Sequence, residues 1–69
     1  MRLTVNGRPY RPAAEFSGLS VDALVRELSA ARRGVAVAVN GTVVPRSTWA
    51  DVALADGDSV EVLTAAQGG

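Results

Sequence analysis

A chain of 69 residues with no cysteine and no histidine has no staple available to it: no disulfide can form, and the usual ligands of a structural zinc are missing. A domain this small buries only about 60% of the surface its unfolded chain exposes, so apolar packing alone must offset the loss of chain entropy. With 48% of its residues hydrophobic, the chain is suited to that. There is room for one core and none for a second lobe. The missing thiols fit a reducing compartment. No apolar run approaches about 18 residues, and Met1 to Val5 is followed at once by Asn6-Gly7, so neither a membrane span nor a signal peptide is expected. A soluble, cytoplasmic protein is the expectation.

Charge excludes further classes. Seven arginines face seven acidic residues, which leaves no net field to draw the chain onto nucleic acid or an anionic membrane. Without Cys, His or Lys the chain lacks the usual nucleophiles and the base that works most readily near neutral pH. Asp56 and Asp58 flank Gly57, but two acids without further oxygen ligands fall short of a calcium site and read as a tight turn before a strand. The internal glycines are dispersed, with no phosphate-cradling pattern. No metal, no bound cofactor and no enzyme activity of its own are expected.

The elements can be placed from local chemistry. Met1 to Val5 alternates apolar with polar and runs into Asn6-Gly7, a pair that tolerates the positive φ angles of a tight hairpin. The returning arm, Arg8 to Arg11, holds Pro9 and is followed by Pro12, which suits an edge strand. Ser20 is a helix cap, Asp22 suits the positive end, and Leu19 can staple onto Leu24. Val21, Leu24, Val25, Leu28 and Ala31 then form one helical stripe, with Asp22 and Arg26 paired outside, Arg32 and Arg33 at the negative end and Gly34 as the stop. Truncating Leu28 on that stripe is expected to cost about 2 to 5 kcal/mol.

Val35 to Val39 is apolar throughout and reads as a covered strand; Asn40-Gly41 turns it into Thr42-Val43-Val44, ended by Pro45. Arg46 to Asp51 reads as an irregular or single helical turn holding Trp49. After Asp56-Gly57-Asp58 comes the last strand, Ser59 to Thr64, with Val60 and Val62 on one side and Ser59 and Glu61 on the other. Hairpin, helix, strand pair and final strand make an α+β domain over residues 1–64 of the β-grasp, or ubiquitin-like, kind. It is a mixed sheet with one helix packed across one face, burying Leu3, Val5, Leu24, Leu28, Val37 and Val62 together.

Residues 65–69, Ala65-Ala66-Gln67-Gly68-Gly69, are left over as a Gly-Gly tail. They offer too little apolar surface to offset the entropy of fixing them, so a mobile tail is expected. Composition leaves two readings open, a frayed end without a role and a reaching one: two residues without Cβ can be drawn through a narrow channel, letting a terminal carboxylate reach a nucleotide in a partner enzyme while a compact head docks outside.

From Val35 to Gly69 the chain resembles the ThiS family of thiamine-biosynthesis sulfur carriers. The resemblance rests on a hydrophobic strand into Val39-Asn40-Gly41, then Val43-Val44-Pro45-Arg46, Trp49, Asp56-Gly57-Asp58, Val60-Glu61-Val62 and terminal Gly68-Gly69. The first half agrees in length and in the order of hairpin and helix. The resemblance implies that a ThiF-like adenylating enzyme uses ATP and Mg to convert the Gly69 carboxylate into an acyl-adenylate. A persulfide from a sulfurtransferase or cysteine desulfurase then yields a thiocarboxylate, whose sulfur goes to a ThiG-like thiazole synthase. Gly69 is the modified residue; Gly68 and Gln67 belong to the part that threads.

Arg46, Trp49 and Leu63 are the candidate partner contacts. Trp49 serves either as an interface anchor or as a cap on the core, and the core role is favoured. Arg46 either meets an acidic partner or is solvated. Thr4 and Leu63 belong to the sheet face that a single helix leaves uncovered, the natural docking area. Two other functions share this fold: a carrier like the small subunit of molybdopterin synthase, and a β-grasp interaction module without chemistry. The first of these usually has a longer chain and a proline-bearing segment before its glycines, where this chain reads Thr64-Ala65-Ala66-Gln67; for the second the tail would be dispensable.

Overall fold

Both Asn-Gly pairs do what their chemistry requires. Asn6 and Gly7 have φ of 52° and 80°, Asn40 and Gly41 50° and 83°, so each hairpin turns through consecutive left-handed residues. The computed structural model describes residues 1–13, 18–28 and 34–64. The first turn joins β1 (Leu3–Val5) to β2 (Arg8–Tyr10), and the second joins β3 (Val35–Val39) to β4 (Thr42–Val44). The helix α1 (Val21–Leu28) lies between the hairpins, a 3-10 turn spans Arg46–Asp51, and β5 (Ser59–Thr64) comes last.

The strands form one sheet in the order β2-β1-β5-β3-β4. β5 is parallel to β1 and antiparallel to β3, while both hairpins are antiparallel, which makes the sheet mixed. Proline-bearing β2 sits at one edge, where a missing donor does least harm. This is the β-grasp arrangement, with β5 in the centre.

The Ser20 hydroxyl accepts the Ala23 amide at 3.0 Å, a cap of about 1 kcal/mol. Arg26 pairs with Asp22 at 3.0 Å, an exposed i, i+4 contact that contributes only about 0.3 to 0.5 kcal/mol. Packing decides the helix: Val21, Leu24 and Val25 are fully buried, and Leu19, Leu3, Val37, Val44, Val60, Leu54 and Trp49 complete the cluster. Leu28, Val5 and Val62 are only half-buried against it, because the centre of the core lies nearer the start of α1. The large cost expected for truncating Leu28 therefore belongs to Leu24. Ala31, Arg32 and Arg33, expected to finish the helix, lie outside the described residues.

Leu54 enters the core from a segment without periodicity. Backbone bonds hold it there: the Leu54 amide donates to Leu19 O at 2.7 Å and the Val21 amide to Val52 O at 2.9 Å, which zips this segment to the entry of α1.

On the opposite side a strut joins the first hairpin to the helix. The Tyr10 hydroxyl donates to Glu27 Oε2, and both Glu27 oxygens accept the Ala13 amide at 3.1 Å. The bond to Glu27, then burial, then the Glu27 charge push the Tyr10 phenol up to about 12. A raised pKa favours the neutral phenol in the folded state. Its contribution to stability is complete below the unfolded value of about 10 and is lost as pH rises through the folded one. Tyr10 is the chain's one tyrosine, so alkaline titration of the tyrosinate absorbance reads it alone. The expected midpoint is about 12, returning toward the ordinary value in Glu27→Gln; a wild-type midpoint at the ordinary value would contradict the strut.

Candidate functional site

The strand that precedes residues 65–69 is the central strand of the sheet, held on both flanks. β5 is flanked by β1 and β3, with Val60 fully buried beneath it and Val35 paired to Thr64 at its end. Side chains of the two turn asparagines also bind it. Asn40 Oδ1 accepts the Ser59 amide at 2.9 Å, and its Nδ2 donates to Asp58 Oδ1 at 3.0 Å. Asn6 Oδ1 accepts the Val62 amide at 2.8 Å, and its Nδ2 donates to Val62 O at 3.1 Å. Gly69, Gly68 and Gln67, expected to carry and deliver the reacting group, lie outside the described residues, as does the expected mobility of residues 65–69.

The Asp56-Gly57-Asp58 segment is a turn held by its own carboxylates. Asp58 Oδ2 accepts the Ala55 amide at 2.8 Å, and Asp56 Oδ1 accepts the Arg2 amide at 2.6 Å. Among the described residues no group of His, Cys, Asp and Glu could hold a metal ion.

The face of the sheet away from α1 is open. Ala38 lies opposite both Val43 and Glu61, and Ala36 opposite Leu63. Val43 is 72% exposed and Leu63 63%, so this is a mostly apolar shelf with one carboxylate in it. Leu63 is thus placed where a partner can reach it, and Thr4, half-buried, sits farther along the same face. Val43, Ala36 and Ala38 were not singled out from sequence. Alternation along β3 and β4 is the signal that could have found them, and it is masked because every residue from Val35 to Val39 is apolar.

Trp49 and Arg46 separate. Trp49 is 2% exposed and its indole N–H donates to Val44 O at 2.9 Å. It caps the core and satisfies a carbonyl of the edge strand β4, so the partner-contact role is corrected: no useful area of the ring is available to another protein. Arg46 is exposed, its guanidinium carbon 5.9 Å from the Trp49 ring centroid, at the outer limit of a cation–π contact.

The described residues make a small β-grasp head, and in sequence its central strand is followed by Gly68-Gly69. The model of the ThiS family matches residues 3–69. The chain is 39% identical over 69 residues to the thiazole synthase of Paramagnetospirillum magneticum, all of this chain but 20% of that protein. It is 32% identical over 69 residues to the sulfur carrier protein ThiS of Escherichia coli, with both chains covered completely. The crystal structure of the thiamine biosynthesis protein ThiS from Geobacter metallireducens superposes with a TM-score of 0.81 at 37% identity, covering 93% of each chain. The solution structure of a thiamine biosynthesis protein from the same organism gives 0.77 at 39% identity, over 91% of this chain and 81% of that one. The chain belongs to the ThiS family, the sulfur carriers of thiamine biosynthesis.

Proposed function

We propose that the chain carries sulfur on the carboxylate carbon of Gly69 and hands it to a ThiG-like thiazole synthase. The observation that carries this reading is the match to the ThiS family, which runs through Gly69. A carboxylate is unreactive toward sulfur nucleophiles until one oxygen becomes part of a good leaving group. A ThiF-like enzyme with ATP and Mg supplies that by forming the acyl-adenylate and releasing pyrophosphate. The outer sulfur of a persulfide, from a sulfurtransferase or cysteine desulfurase, displaces AMP; cleavage of the sulfur–sulfur bond by a thiol leaves the thiocarboxylate.

The chain is then a protein co-substrate of the cytoplasm and not an enzyme, with ATP and Mg belonging to the adenylating partner. Residues 1–64 are the head and 65–69 the delivering tail. Docking uses the open shelf around Leu63, Val43, Ala36 and Ala38, with exposed Arg46 just beyond the end of β4. Placing binding contacts on the head and reaction at the tail turns remote contacts into positioning of the reacting atom. The thiazole synthase partner is supported by a thiazole synthase that holds a segment similar to this whole chain within its own sequence; the chain spans a fifth of that protein's length. No nucleic acid or membrane takes part, and no described helix is long and apolar enough to cross one.

Reconstitution tests the cycle. With adenylating enzyme, ATP, Mg, persulfide donor and thiazole synthase present, thiazole formation is expected to require this chain and to scale with its thiocarboxylate. Equal thiazole formation without the chain would remove it from the cycle.

A further inference from the structure

β1 ends at Val5, but β5 runs on to Thr64. The parallel ladder between them pairs Thr4 with Ser59 and Val5 with Val60, and its last main-chain bond is the Asn6 amide to Val60 O at 2.9 Å. At Asn6 the chain turns away into β2, so no further residue of β1 is available to the next N–H and C=O that β5 presents on this side, those of Val62. The Asn6 side chain fills that place. A primary amide presents an acceptor and a donor side by side, as a strand residue presents its C=O and N–H to a neighbouring strand. Asn6 uses both on one residue, accepting from Val62 N–H at 2.8 Å and donating to Val62 C=O at 3.1 Å. It stands in for a missing strand residue, across 56 positions of sequence.

The other flank of β5 is held by β3 as far as Val35 opposite Thr64. Among the described residues, Val62 is therefore the last of β5 clamped from both sides. We propose that Asn6 is a positioning residue for the terminal chemistry: its amide latch on Val62 fixes the direction in which residues beyond Thr64 are delivered to the adenylating enzyme. This rests on the carrier function proposed for Gly69. Once the tail is threaded in the enzyme, a shift at its root is passed to the reacting atom, and a misplacement of about 1 Å can lower a rate by about 100-fold.

Asn40 provides the internal control. It has the same left-handed conformation, with φ of 50° against 52° for Asn6, and it also binds β5, but at Ser59, where the strand begins. Glycine accepts positive φ freely, so Asn6→Gly and Asn40→Gly each remove a side-chain amide without straining the turn. Asn6→Asp keeps tolerance of the turn and the acceptor for Val62 N–H, and loses the donor to Val62 C=O.

The experiment measures ATP–pyrophosphate exchange by the adenylating enzyme against carrier concentration, with amide hydrogen exchange on each free variant. Asn6→Gly is expected to lower kcat about 10-fold or more with little change in KM, since the open face is untouched, and to deprotect the Val62 amide. Asn6→Asp is expected to fall between it and wild type, whereas Asn40→Gly stays within about twofold of wild type in kcat. Full protection of Val62 in Asn6→Gly would overturn the latch. Wild-type kcat with Val62 deprotected, or equal loss in the Asn6 and Asn40 variants, would overturn the positioning role and leave the carrier function standing. A wild-type chain that supports no exchange would contradict the carrier function itself, and the positioning role with it.

Discussion

Deleting Gly69, or adding one residue after it, is expected to abolish adenylation by a ThiF-like adenylating enzyme and to leave the circular dichroism of the head unchanged. Deletion keeps a terminal carboxylate but draws it back by about 3.5 Å, one residue of extended chain. That exceeds by severalfold a displacement that already lowers the rate of a positioned reaction by about 100-fold. Extension acts differently, pushing the new carboxylate past the nucleotide and leaving an unreactive amide at Gly69. Gly68→Val leaves the carboxylate in place but asks a β-branched side chain to enter the same channel, so its effect is on access. ATP–pyrophosphate exchange reads all three variants. Exchange at the wild-type rate by the deleted and extended chains would show that the reacting group is elsewhere.

Leu24→Ala is expected to remove about 2 to 5 kcal/mol of stability. Leu24 is fully buried at the centre of the cluster, with Val21 and Val25 beside it and Val37 and Val60 in the facing strands. A domain of this length has only about 3 to 10 kcal/mol in total, so the variant stands near its unfolding threshold at room temperature. Leu28→Ala, half-buried at the end of the described helix, is expected to cost clearly less. Urea denaturation of both variants gives the comparison. Equal midpoints for the two would mean that the packing centre has been misplaced along α1.

Features fixed by local chemistry could be read directly from the residues. Few residue types accept positive φ, so the Asn-Gly pairs marked both hairpins; a serine before an apolar stripe marked the start of α1. Trp49 was ambiguous for a physical reason: an apolar body with a polar tip suits an interface as well as a core, and only the Val44 carbonyl decides between them. Leu54 could not be found by periodicity, because its place depends on bonds to Leu19 across a distant loop. The roles of Asn6 and Asn40 beyond their turns were also hidden. They depend on β5 lying centrally and beside β1, a long-range pairing that no local pattern reports. The tail over residues 65–69 is an expectation from composition and from likeness to the ThiS family, and it lies outside the described residues.

The central claim is that sulfur travels on the main-chain carboxylate of Gly69. Mass spectrometry of the chain isolated from cells making their own thiamine tests it most directly. A fraction heavier by one exchange of oxygen for sulfur is expected, confined to the C-terminal peptide and lost when the adenylating enzyme is deleted. Unmodified C-terminal peptide throughout, in cells actively forming the thiazole, would contradict it.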